Sequence, residues 1–216
     1  MGKRLIARYR AAFSDLDFVG WTLISIAAFV ASLVVNFWAI RQATERASNS
    51  VTDAILSNVP IFQVDDFFVY GTAFVILVSL FLVLTRPKRI PFALLSVALF
   101  IVIRSAFTLL THLGPPEIEY PTDFGKTIAS AFFGADQFFS AHTGMPFLGA
   151  LGFWHKPLLR YFFLAASVYF ATVVLLGHIH YSIDVASAFF ITYGIYQIAC
   201  VIFARHRRLF LEAECD

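Results

Sequence analysis

His180 and Asp184 stand four residues apart in His180-Tyr-Ser-Ile-Asp184-Val185, at the mouth of an apolar segment. Positions i and i+4 share one face of a helix. The spacing therefore predicts a carboxylate that holds and charge-stabilises an imidazole, as the third member of a catalytic triad does for its histidine. A second histidine, His142, opens another apolar segment in Ser140-Ala-His142-Thr-Gly144. Ser140 reads as the N-cap of that segment, and a capped helix start is a ready anion site. Arg104 lies inside a third apolar run, with Thr108 and Thr111 at i+4 and i+7 on its face. A phosphate oxygen suits its planar fork; the alternative is an ion pair with Asp136, Asp65 or Asp66. Ionisable residues inside a membrane mostly mark functional sites. Two histidines, an aspartate and an arginine at the ends of such segments predict chemistry on a lipid-borne group.

The elements that must position them are membrane helices. The chain is 59% hydrophobic and 14% charged, with 26 Phe and a mean hydropathy of +0.77. A soluble domain has about a quarter charged residues. Apolar runs at roughly 18–40, 67–85, 91–111, 136–153, 161–178 and 181–204 each approach the ~20 residues a spanning helix needs. The expected fold is all-α and polytopic, with six transmembrane helices in one domain over residues 1–216. The first run has no cleavage site after it and reads as a retained anchor.

Orientation follows from the basic residues. Lys3, Arg4, Arg8 and Arg10, then Arg86, Lys88 and Arg89, then Lys156 and Arg160, then Arg205, Arg207 and Arg208 all fall on one side of a six-span layout. Both termini are thus expected to be cytoplasmic. His142, His180, Asp184 and Arg104 then share the opposite, non-cytoplasmic face of a multi-pass protein, in the plasma or inner membrane if the chain is bacterial. His178 does not share the His180–Asp184 face and reads as a turn residue. Ala47 to Val59 is expected to form a short interfacial helix. Gly114-Pro115-Pro116 with Glu117 and Glu119 reads as a turn and a solvated strip. Cys200 and Cys215 fall toward the reducing side and are expected as free thiols. A homo-oligomer is allowed by this layout, and no nucleic-acid partner is expected.

Asp136-Gln-Phe-Phe-Ser140-Ala-His142-Thr143 and His180-Tyr-Ser-Ile-Asp184-Val185 resemble the two histidine motifs of the type-2 phosphatidic acid phosphatase superfamily. The similarity is closer to its sphingomyelin-synthase-like branch, whose motifs read Asp-x-x-x-Ser-Gly-His-Thr and His-Tyr-Thr/Ser-x-Asp-Val. Arg104-Ser-Ala-Phe-Thr108-Leu-Leu-Thr111 is similar to that branch's arginine-threonine motif. Pro60-Ile-Phe-Gln-Val-Asp65 weakly resembles its first-loop motif. The likeness covers about residues 60–196. Ala141 stands where the family has glycine. Ser79 and Val174 stand where the phosphatase branches carry a lysine and an arginine, which favours the synthase-like branch.

The resemblance implies a phosphoryl-type transfer through a phosphohistidine, without metal or other cofactor. His180 is then the nucleophile, made more basic by Asp184. His142 protonates the leaving group and later serves as base. Arg104 counters charge on the phosphoryl oxygens, and Ser140, Thr143, Asp136 and Tyr181 complete the substrate site. The implied substrates are membrane phospholipids or sphingolipids. With a lipid alcohol as acceptor the chain is a head-group transferase; with water it is a lipid phosphate phosphatase. Two rivals remain. One is a metal-dependent hydrolase binding Zn²⁺ through His178, His180, Asp184 and His142; the other is a non-catalytic lipid-binding or transport protein.

Overall fold

The computed structural model describes residues 2–116 and 138–215. Every regular element among them is helical. These are α1 (Gly2–Phe13), α2 (Leu16–Glu45), α3 (Asp65–Leu84), a 3-10 turn (Pro87–Arg89) leading into α4 (Ile90–Leu110), α5 (Ala141–Gly152), α6 (Pro157–Leu176), α7 (Ser182–Ile202) and α8 (Ala204–Cys215). Five helices, α2, α3, α4 with its 3-10 turn, α6 and α7, are long and apolar enough to cross a membrane. Their ends follow local chemistry. Asp15 caps α2 by accepting the Asp17 N–H at 3.0 Å. Pro157 opens α6 and Pro91 enters the first turn of α4, where a missing N–H costs nothing.

The apolar run 136–153 gives a different result. The helix in it starts at Ala141, behind the Ser140 cap, and is 12 residues long. At 1.5 Å per residue that is about 18 Å, short of the ~30 Å hydrocarbon layer. Pro146 lies inside it and has no N–H to return to the His142 carbonyl. The helix still joins the two ends of the bundle. The Phe139 carbonyl, just before α5, accepts from Arg104 Nε at 3.1 Å. Phe153, just after it, lies under the Arg89 guanidinium at 5.0 Å. Along α4 the interval from Arg89 to Arg104 is about 22 Å.

The bundle centres on α4, α5 and α7, with α2 laid on α4 and α6 on α5. Apolar burial drives little association between helices within lipid, so close packing and small residues matter more. The buried stripe of α2 includes Thr22, Ser25, Ser32, Ala39 and Ala43. The core adds edge-to-face aromatic pairs such as Phe100–Phe139, centroids 5.4 Å apart at 80°, a favoured geometry. By contrast, α3 buries only Phe68.

Charge separates the two ends. At one end Arg86 bonds the Ala213 carbonyl, Arg205 pairs with Asp17, and Arg89 sits on Phe153 and Phe210. The basic flanks at the chain's two ends form α1 and α8 there: Tyr9 Oη donates to the Leu84 carbonyl at 2.9 Å, and Phe210 joins the core. His142, His178 and His180 lie at the other end, while His206 stays at this one with its ring 4.7 Å from that of Trp21. Residues 47–59 do not form the expected interfacial helix. They have no regular structure apart from a turn at 54–58, because this segment spends its hydrogen bonds on its neighbours.

The turn between α6 and α7 explains His178. It follows the cap Gly177 with φ of 51°. The His178 N–H reaches the Leu175 carbonyl and the Ile179 N–H reaches that of Val174. This is the two-bond helix stop that glycine usually makes. His is among the residues that tolerate this backbone region, and its Nε2 lies 3.0 Å from the Val59 carbonyl. His178→Ala should keep the strain and lose that tether, whereas His178→Gly loses the tether and relieves the strain. The Gly variant is expected to be the more stable by about 0.5–1 kcal/mol, read as the higher unfolding temperature in detergent.

Candidate active site

The His180–Asp184 pairing arises otherwise than the spacing suggests. Helix α7 starts at Ser182 with Tyr181 as its cap, so His180 precedes the helix and shares no helical face with Asp184. Asp184 instead occupies the third helical position and folds its carboxylate back over the helix start, where Oδ2 accepts the Tyr181 N–H at 3.1 Å. That return places Oδ2 3.4 Å from His180 Nδ1, with the side chains 0% and 5% exposed. A carboxylate opposite Nδ1 favours the Nδ1–H tautomer and leaves the Nε2 lone pair for attack. Asp184 Oδ1 has no hydrogen-bond partner among the described residues.

A backbone bond brings in the second histidine. The Ser140 N–H donates to the Asp184 carbonyl at 3.1 Å, so the starts of α5 and α7 are fastened together. Ser140, fully buried, caps α5 through its Oγ, which accepts the Thr143 N–H at 3.4 Å. His142 follows in the first turn, its ring 4.3 Å from that of Phe68 and 6.1 Å from that of Phe170. It is half-buried and lies near both His180 and Arg104. Gly144 allows this approach: a Cβ there would stand 2.7 Å from Thr192 Oγ1 and 2.9 Å from the Phe100 ring.

Arg104 is 5% exposed. Its Nε–H grips the Phe139 carbonyl, and Phe139 has the unusual φ of 26°. That bond turns the chain immediately before the Ser140 cap. Thr108, one turn along, is buried with a hydroxyl that has no partner among the described residues. Thr111 bonds back to the Phe107 carbonyl. The site thus gathers one imidazole with its carboxylate, a second imidazole, a guanidinium and two helix starts. Such a set can attack a phosphorus centre, move a proton and hold oxyanion charge.

Two of the expected substrate-site residues, Tyr181 and Thr143, make internal contacts. Tyr181 is 1% exposed; its hydroxyl donates to the Gly114 carbonyl at 2.9 Å and accepts from the Val51 N–H at 3.2 Å. It ties two loops together. Thr143 is fully buried, its hydroxyl on Ser140 Oγ and its carbonyl on Ser167. Asp136 lies outside the described residues, as do Glu117 and Glu119. Among the described residues no cluster of three or more His, Cys, Asp or Glu is arranged to hold a metal. His178, one member of the Zn²⁺ alternative, turns its Nε2 to the Val59 carbonyl.

Asp53 emerges only from the structure. Its Oδ1 accepts the Ile55 and Leu56 N–H groups at 2.8 and 3.0 Å. Its Oδ2 accepts both the N–H and the hydroxyl of Ser182, at 2.7 and 2.8 Å. Burial opposes the charge, but the bonds from Leu56, Ser182 and Ile55 together outweigh it and hold the carboxyl below its ordinary value of 3.8. The sequence signal is only that of a turn opened by Asp. Phe68, the wall behind His142, carries no signal in the sequence.

No protein-family model, curated protein or solved structure matches the chain.

Proposed function

We propose that this chain is a membrane lipid phosphotransferase, most simply a head-group transferase, working through a phosphohistidine on His180. In this reading the chain crosses the membrane six times with both termini in the cytoplasm, and the site opens to the non-cytoplasmic leaflet. The separation of basic and histidine-bearing ends supports that orientation. The single observation that carries the function is the fastening of two helix starts by the Ser140–Asp184 bond at 3.1 Å. It joins the His180–Asp184 pair to His142 and sets Arg104 beside them.

The reaction has two displacements. His180 Nε2 attacks the phosphorus of a lipid phosphodiester or phosphomonoester, and the bond to the leaving oxygen breaks as the P–N bond forms. His142 gives that oxygen its proton. An acceptor hydroxyl then passes its proton to His142 and attacks phosphorus, and the P–N bond breaks. Arg104 and the start of α5 hold the equatorial oxygens throughout. Phospholipids or sphingolipids fit as substrates because the site lies among apolar helices.

The test is a lipid screen on purified protein in vesicles, with products resolved by mass spectrometry. A new phospholipid is expected with a diacylglycerol- or ceramide-type acceptor. Release of free phosphate or head group alone would make the chain a phosphatase. Lipid that binds but never turns over, with no acid-labile phosphoprotein, would leave a lipid-binding protein.

A further inference from the structure

The polar clasp at Asp53 lies outside the catalytic set, yet it touches the start of α7 that carries Asp184. The first loop, residues 46–64, is fastened along the segment 176–182 at several points. The Phe62 N–H donates to the Leu176 carbonyl at 2.9 Å. The Val59 carbonyl meets His178, Asp53 meets Ser182 twice, and the Val51 N–H meets Tyr181 Oη. At its near end the Ser48 N–H bonds the His112 carbonyl at 2.7 Å. Gly114 admits this crossing, since a Cβ there would stand 2.2 Å from the Ser48 carbonyl oxygen. His180 lies in the middle of the segment so covered and is 4% exposed. His142, packed against Phe68 of α3, keeps partial exposure.

We propose that Asp53 is a positioning residue that clasps the first loop over His180 and so makes the site choose a lipid alcohol over water as acceptor. The inference rests on the proposed phosphohistidine reading. In the second displacement the P–N bond breaks while an acceptor oxygen bonds to phosphorus and its proton goes to His142. Water and a lipid hydroxyl compete for that one step. With the loop seated, the aqueous end is closed and the acceptor arrives from the bilayer side. Asp53 is suited to the clasp because one carboxylate accepts four hydrogen bonds, two from its own turn and two from Ser182. A charged acceptor at a helix start also gains from the helix dipole.

The experiment compares wild type, Asp53→Asn and Ser182→Ala in vesicles. The amide of the Asp53→Asn variant has one acceptor oxygen, so it can keep its own turn but must present an NH₂ group to the donors of Ser182. Each protein is assayed with a phospholipid donor and a ceramide or diacylglycerol acceptor, and both transfer and hydrolysis products are counted. Hydrogen exchange at the Ser182 amide is followed alongside. Asp53→Asn is expected to raise the ratio of hydrolysis to transfer roughly tenfold or more and to speed Ser182 exchange by a similar factor, the scale of losing charged hydrogen bonds. Ser182→Ala, which keeps the amide bond, shifts both less. A merely structural role would lower both products together and leave their ratio unchanged. That constant ratio overturns the proposal, as does unchanged exchange in Asp53→Asn. A wild-type chain that makes neither product overturns the proposed function and the acceptor choice with it, while the exchange arm still reports whether the clasp closes this face.

Discussion

His180→Ala is expected to lower turnover by about 10⁴-fold or more, the scale seen when a member of a nucleophilic triad is removed, and to leave the fold standing. The stability part follows from the geometry. His180 lies outside α7, and its Nδ1 makes no well-formed hydrogen bond in a described contact. Its loss removes no cap and no helix bond. Asp184→Asn should be nearly as inactive, yet it keeps the capping oxygen for the Tyr181 N–H and leaves the Ser140–Asp184 main-chain bond untouched. Asp184→Ala differs: it also loses the cap, which costs about 1 kcal/mol. The double variant His180→Ala with Asp184→Asn should be little worse than His180→Ala alone, because the pair acts as one unit. The check is turnover and unfolding temperature on the same preparations. Full activity in His180→Ala would remove the phosphohistidine.

Part of this site is legible in the sequence. The His180–Asp184 pair, His142 and Arg104 stand out by residue type and segment position, and the structure gathers them at one end of the bundle. The reason for the pairing is not legible. A spacing of four fits a helix face, but it fits equally a carboxylate at the third helical position folding back over its own helix start, and only the position of the start decides. The length of α5 is hidden for a related reason. Hydropathy counts apolar residues across 136–153 and does not see that a serine cap and a loop trim the helix to 12 residues. Asp53 is out of reach because its partner is 129 positions away. Nothing local announces a long-range bond between a turn aspartate and a helix start. The αL turn at His178 is legible only as a turn, since glycine is the usual occupant of that backbone.

Arg104 should show the second large effect, and the choice of replacement separates its two duties. Its Nε–H holds the Phe139 carbonyl in a chain reversal just ahead of the Ser140 cap. The two terminal nitrogens of a guanidinium can serve phosphoryl oxygens bidentately. Arg104→Lys keeps a positive charge but has no planar fork and cannot do both. A fall in kcat/KM of about 10²–10³ is expected, the cost of losing one oxyanion-stabilising donor set. Arg104→Gln also loses the charge and should fall further. The split between kcat and KM is informative. A guanidinium that grips the substrate before and after reaction equally would move KM alone, whereas one that meets charge only as the leaving oxygen departs lowers kcat. The loss is expected mainly in kcat, because the phosphoryl oxygens gain their stabilisation as the pentacoordinate centre forms. Phe139→Leu supplies the control: it keeps the carbonyl that Arg104 grips and most of the buried volume, but gives up the aromatic contacts, so it loosens the start of α5 without touching the guanidinium. It should therefore retain far more activity than Arg104→Lys if Arg104 acts on phosphate. Equal losses in the two variants would make Arg104 a strut for the start of α5 and pass charge stabilisation to that helix start alone.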